Sequence, residues 1–189
     1  MEIYPKSEIA FSNLNFERPY ALIESKKSFK VKILAILGNS QGIDLESDRL
    51  FLNSLENADV VFLVEPPRQQ LYDYLYQEAW DIIFFAGHSK TINSQGILYL
   101  NQEDAITITE LKHGFNKAIA AGLQLAIFNS CDGLGLAWEL TQLSLPQSIV
   151  MRLPIPDRVA QKFLRYFLEA YTAGNPLYLA SRIAREQLQ

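Results

Sequence analysis

Five short apolar runs, each cut off by turn residues and separated by helix-sized stretches, constrain this chain more than any other feature. They cover residues 31–37, 60–64, 81–86, 123–128 and 148–153. Runs of this length and composition read as strands buried on both faces of a parallel sheet. The intervening segments read as helices. Asp44 is a natural N-cap for a helix to about residue 57, and Pro67 sits where a helix's first residue would. Thr109 caps a helix closed by Gly122, and another helix runs from about 134 to 143. Residues 96–100 and 105–108 have the alternation of a small hairpin or of crossing strands. Asp157 opens a helix with Val159, Phe163, Phe167 and Tyr171 on one stripe, and Gly174-Asn175-Pro176 ends it and starts the last one. Trp138, Phe163 and Phe167 read as core.

Strand and helix in strict alternation give an α/β fold: a three-layer sandwich with a mostly parallel central sheet of five or six strands and helices on both faces. Right-handed crossovers then put the functional edge at the carboxyl ends of the strands, at a topological switch point. Residues 1–30 show no clean period and read as an arm or a junction to an upstream module; regular structure is expected to begin at Val31, with one domain over 31–189.

A net charge of −4 speaks against a general nucleic-acid binder, and Lys26, Lys27, Lys30 and Lys32 read as a solvated cluster. Cys131 is the only cysteine, which excludes an internal disulfide and suits a reducing compartment. No apolar run reaches the ~18–20 residues of a membrane span, and the N-terminus lacks the apolar core of a signal peptide. The expectation is a soluble, cytoplasmic domain.

Two of the strands end in reactive side chains. His88 follows the third, in Gly87-His88-Ser89, and Cys131 follows the fourth, in Asn129-Ser130-Cys131-Asp132-Gly133. If the strands are neighbours their ends lie ~5 Å apart, and imidazole and thiol form the skeleton of a cysteine nucleophile with its base. A helix starting just beyond Cys131 would favour the thiolate. The backbone N–H groups of Ser89 and Cys131 are candidates for an oxyanion hole. No third orienting residue is evident, so a dyad is the simpler reading. The bland alternatives are a small buried hydrophobe for Cys131 and a satisfied loop histidine for His88.

Asp132 and Asp157 could bind a basic residue of a substrate, although Asp157 also suits a helix N-cap. Arg152 would suit an acidic residue, or simply face solvent. Gly87 and Asn129 flank the dyad and count among the substrate-binding candidates. Gly38-Asn39-Ser40-Gln41-Gly42 lacks a phosphate-loop signature and reads as a flexible wall of the cleft. His113 falls mid-helix and reads as solvated or locally bonded. A zinc site needs more ligands than the chain arranges, and no metal or other cofactor is expected.

Taken in order, Phe84-Phe-Ala-Gly-His-Ser89, Ala126-Ile-Phe-Asn-Ser-Cys-Asp-Gly133, Pro154-Ile-Pro-Asp157 and the segment around Ala184-Arg185 resemble a CHAT domain over residues 31–189. CHAT domains are the prokaryotic branch of the caspase-like cysteine peptidases. The interval of 43 residues from His88 to Cys131 is compatible with the ~50 of caspase-like enzymes. The resemblance implies a caspase-like sheet, a His88–Cys131 dyad cleaving a polypeptide substrate, and an upstream sensory or repeat module that regulates it. The chain has Ser89 where the family pattern often has glycine, and Asn129-Ser130 where animal caspases have Gln-Ala. A degenerate caspase-fold module for protein interaction is the alternative, and a flavodoxin-like ligand-binding domain shares the same alternation.

Overall fold

The computed structural model describes residues 8–12, 30–93, 95–130, 133–151 and 156–188. Its centre is a six-stranded sheet. Strands β2 (Val31–Leu37), β3 (Ala58–Val64), β4 (Ile82–Ala86), β8 (Leu125–Asn129) and β9 (Gln147–Met151) are parallel to their neighbours. Strand β1 (Glu8–Ser12) adds to the β9 edge antiparallel, so the order is β1-β9-β8-β4-β2-β3. Regular structure therefore starts before Val31. The sequence of β1, Glu-Ile-Ala-Phe-Ser, is too short to stand out until it finds an edge to pair with.

Side chains alternate across the sheet and feed two cores. Ile33, Ala35, Leu37, Phe84 and Ile127 face α1 (Leu45–Asn53), α5 (Asp157–Thr172) and α6 (Leu177–Glu186). Leu34, Ile36, Phe85 and Phe128 face α2 (Arg68–Gln77), α3 (Ile108–Ala120) and α4 (Gly133–Thr141). That is the three-layer α/β sandwich the alternation implies. On α5, Phe163 and Phe167 stack 6.1 Å apart inside the core, and Tyr171 continues the row. Among the described residues no helix is long and apolar enough to cross a membrane.

Helix starts follow capping chemistry, with shifts of a residue or two from the sequence reading. Asp44 caps α1 by accepting from the Ser47 N–H, and its bonds to Ser47 hold its carboxyl below the usual value. Pro67 and Pro156 occupy the N-cap positions of α2 and α5, so Asp157 is the first helical residue rather than the cap. Thr107, not Thr109, caps α3; it forms a reciprocal capping box with Glu110, and two extra residues of helix follow from that.

Between β4 and α3 lies a separate antiparallel sheet of β5 (Ser89–Ile92), β6 (Gln95–Tyr99) and β7 (Ala105–Thr107). The two segments read as a hairpin or crossing strands are β6 and β7, and β5 adds a third strand to them. Helix α4 packs on it so closely that a Cβ on Gly96 would lie 2.5 Å from a Leu136 methyl carbon. Among its described side chains α4 buries Leu136, Ala137 and Leu140, and Trp138 is turned outward, 69% exposed. It does not belong to the core. His113 is exposed on α3, as its place in that helix implies.

Candidate functional site

The order of the parallel strands reverses at β2, which has β3 on one side and β4 on the other. The carboxyl ends of β2 and β4 therefore define the switch point where α/β sheets open a crevice. The Gly38–Gly42 segment leaves β2 there, and Gly87-His88 leaves β4.

These two departures are in contact. Gly38 donates its N–H to the Ala86 carbonyl at 2.8 Å. Gly87 holds φ at +151°, and a Cβ on it would sit 3.2 Å from Gly38 Cα, so both the turn and the close approach favour glycine. His88, half-buried, directs Nε2 at the Gln41 carbonyl oxygen, 2.7 Å away. A carbonyl oxygen only accepts, so Nε2 carries the proton and donates it. In the neutral ring Nδ1 is then the basic nitrogen.

The loop that presents Gln41 is pinned rather than loose. The Asn39 N–H donates to the Tyr99 carbonyl at 2.9 Å, and the Asn39 Oδ1 accepts from the Gln41 N–H at 3.0 Å. Glu65, at the carboxyl end of β3, accepts through Oε1 from the Ser40 N–H at 3.2 Å and the Ser40 hydroxyl at 3.0 Å. The Gln41 carbonyl is the orienting partner of His88 that side-chain chemistry alone could not reveal, because a backbone oxygen leaves no signature in a sequence.

Strand β8 lies directly beside β4, parallel and in register from Ile82↔Leu125 to Ala86↔Asn129. Each strand thus stops two residues before a candidate side chain, His88 in one case and Cys131 in the other. Gly87 and Asn129 meet across this gap, with the Gly87 N–H 3.4 Å from the Asn129 carbonyl. Ser89 begins β5 opposite Leu98. The Tyr99 N–H donates to the His88 carbonyl at 3.1 Å. Cys131, Asp132 and Arg152 lie outside the described residues, and of Asp157 only the backbone, at the start of α5, is described.

One acid near this edge escaped the sequence reading. Asp48 on α1 is 2% exposed, and its Oδ2 accepts from the Asn129 amide at 3.4 Å. A signal existed. Leu45, Asp48, Phe51 and Leu52 form one buried stripe, and a carboxylate within such a stripe is rarely placed for packing.

The CHAT domain family matches residues 31–189, from β2 to the end of the chain. The chain belongs to the CHAT family. No curated protein matches it. The CHAT match runs over all five parallel strands and all six helices of the described structure, and β1 lies outside it.

Proposed function

We propose that this CHAT domain is a caspase-like cysteine endopeptidase in which Cys131 is the nucleophile and His88 its base. The observation that carries the reading is the Nε2–H···O=C bond from His88 to Gln41, beside a β4–β8 pair that ends in register. That bond fixes the ring's tautomer and leaves Nδ1 to exchange a proton with a thiol arriving from the neighbouring strand end.

In this mechanism the Cys131 thiolate attacks the carbonyl carbon of a peptide bond, and the N–H groups of Ser89 and Cys131 receive the developing oxyanion. The His88 imidazolium passes its Nδ1 proton to the leaving amine, and a thioester remains on Cys131. Water attacks that thioester with Nδ1 as base, and the thiol is regenerated. The Gln41 carbonyl accepts the Nε2–H in both the neutral and the protonated ring, so the site works as a dyad with a backbone oxygen as third partner. Asp132 and Asp157 favour a basic residue at the cleavage position over an acidic one read by Arg152, with Gly87 and Asn129 as walls. A reducing compartment such as the cytoplasm keeps the single thiol free, and an upstream module regulates access to it.

Alkylation tests this directly, because the chain has one cysteine. An ordinary thiol is only a few per cent ionised at pH 7. An activated Cys131 reacts with iodoacetamide about five- to tenfold faster than the urea-denatured chain near neutral pH, allowing for the lower nucleophilicity of a more acidic thiol. Cys131→Ala abolishes peptide cleavage while leaving the fold intact. Equal alkylation rates in the folded and denatured chain, or cleavage that survives the substitution, refute the peptidase reading and leave an interaction module.

A further inference from the structure

We infer that Glu65 is a positioning residue for His88, acting through the Gly38–Gly42 loop; the catalytic part of the inference rests on the reading of His88 as the base. Glu65 is one of three non-glycine residues described with positive φ, at +43°. It stands immediately before Pro66, where sterics already restrict the backbone. Such a conformation costs about 1 kcal/mol or more and persists where its surroundings impose it. Here the Glu65 N–H is tied to the Leu37 carbonyl at 2.7 Å, which turns the residue back toward the end of β2. The turn brings its carboxylate to Ser40, where a single oxygen accepts both the backbone N–H and the hydroxyl.

The geometry spans three strands. Glu65 follows β3, Ser40 and Gln41 follow β2, and His88 follows β4, with β2 in the middle. The loop is therefore held from one flank by Glu65 and receives His88 on the other. Releasing the Glu65 side removes two hydrogen bonds of Ser40, leaving its carbonyl on the Ile43 N–H, and loosens the adjacent Gln41 carbonyl that fixes the ring. Asn39 holds the next peptide, through the Gln41 N–H, from within the loop; from outside it the Tyr99 carbonyl holds the Asn39 N–H, and Glu65 is the side-chain clamp on Ser40.

The chain has only two histidines, and His113 is exposed on α3, so it serves as an internal reference. The experiment records imidazole nitrogen spectra of the full chain and the exchange rate of the His88 Nε2 proton, for wild type, Glu65→Ala, Glu65→Gln and Ser40→Ala. In wild type His88 occupies the Nε2–H tautomer. Glu65→Ala speeds Nε2 proton exchange about fivefold, the effect of one lost hydrogen-bonded anchor, and populates the second tautomer. Glu65→Gln keeps an acceptor oxygen and stays within about twofold of wild type, while His113 is unchanged in all of them. His88 spectra that are identical in wild type and a natively folded Glu65→Ala overturn the proposal. If Glu65→Ala loses its native amide spectrum, Ser40→Ala decides: faster exchange supports the clamp, and no change overturns it. Where cleavage is measurable, Glu65→Ala lowers kcat with KM unchanged and Glu65→Gln restores it. A protein that shows the spectral change yet cleaves nothing keeps the clamp and loses the peptidase.

Discussion

Gly38 can be replaced by alanine in a way that separates crowding from backbone strain, and the structure sets the size of the effect. A Cβ at this position would lie 2.4 Å from the Tyr99 carbonyl oxygen and 3.0 Å from the Phe85 ring. Ordinary carbon–oxygen contacts begin near ~3.3 Å, so one partner must retreat by roughly 0.9 Å. The Tyr99 carbonyl cannot do so cheaply, because it accepts the Asn39 N–H at 2.9 Å and belongs to β6. Overpacking of this kind costs about 1–3 kcal/mol, and the lost backbone bond adds about 1 kcal/mol. The reduced freedom of the unfolded chain returns about 0.4–1 kcal/mol. The net loss is about 2–3 kcal/mol, or a fall in Tm of roughly 5–10 °C for a chain of this size. Gly42 provides the contrast: its φ is +79° but a Cβ there meets nothing within 4 Å, so alanine costs about 1 kcal/mol of strain alone. Urea unfolding of both variants with unchanged m-values measures the two losses. A Gly38→Ala midpoint equal to wild type, or a larger loss for Gly42→Ala, refutes the claim that the β2 exit is packed against β6.

Two further predictions concern the described surface. Glu110 is hydrogen-bonded by the Thr107 N–H and hydroxyl and by Arg68, and these bonds, the Thr107 N–H first, hold its carboxyl below the usual 4.5 despite partial burial. A depressed folded value means that the ionised Glu110 stabilises the fold in full above pH ~4.5, and this contribution disappears as pH falls through the folded value. The stability gap between wild type and Glu110→Gln therefore narrows from pH 7 to pH 3; a gap independent of pH contradicts this origin. Trp80 is buried and Trp138 is 69% exposed, so the fluorescence has a shielded and an accessible component. Trp138→Phe removes the acrylamide-quenchable part and changes stability by no more than about 0.5 kcal/mol; a larger loss, or quenching that persists, returns Trp138 to the core.

What could be read from the sequence divides along a physical line. The parallel strands were legible because burial on both faces leaves an uninterrupted apolar run, and glycine, asparagine and proline mark the places where it stops. Strand β5, Ser89-Lys90-Thr91-Ile92, was not, because it is four residues long, alternately half-buried and exposed, and owes its existence to pairing with β6. Trp138 misled because α4 is apolar over most of its length, so its pattern alone does not select the inward face; the Gly96–Leu136 contact does. The same division runs through the site. His88 announced itself as a lone titratable group at a strand end, whereas its partner is a main-chain oxygen whose position depends on a loop closed by Ser40, Asn39 and Glu65. Sequence names the group that would move the proton, and only tertiary structure names what aims it. On the proposed reading of His88 as the base, substitutions at Glu65 and Ser40, which carry no chemistry of their own, are expected to act on the ring through the placement of the Gln41 carbonyl, so the ring's own spectrum, rather than the presence of a histidine and a cysteine, is what tests the site.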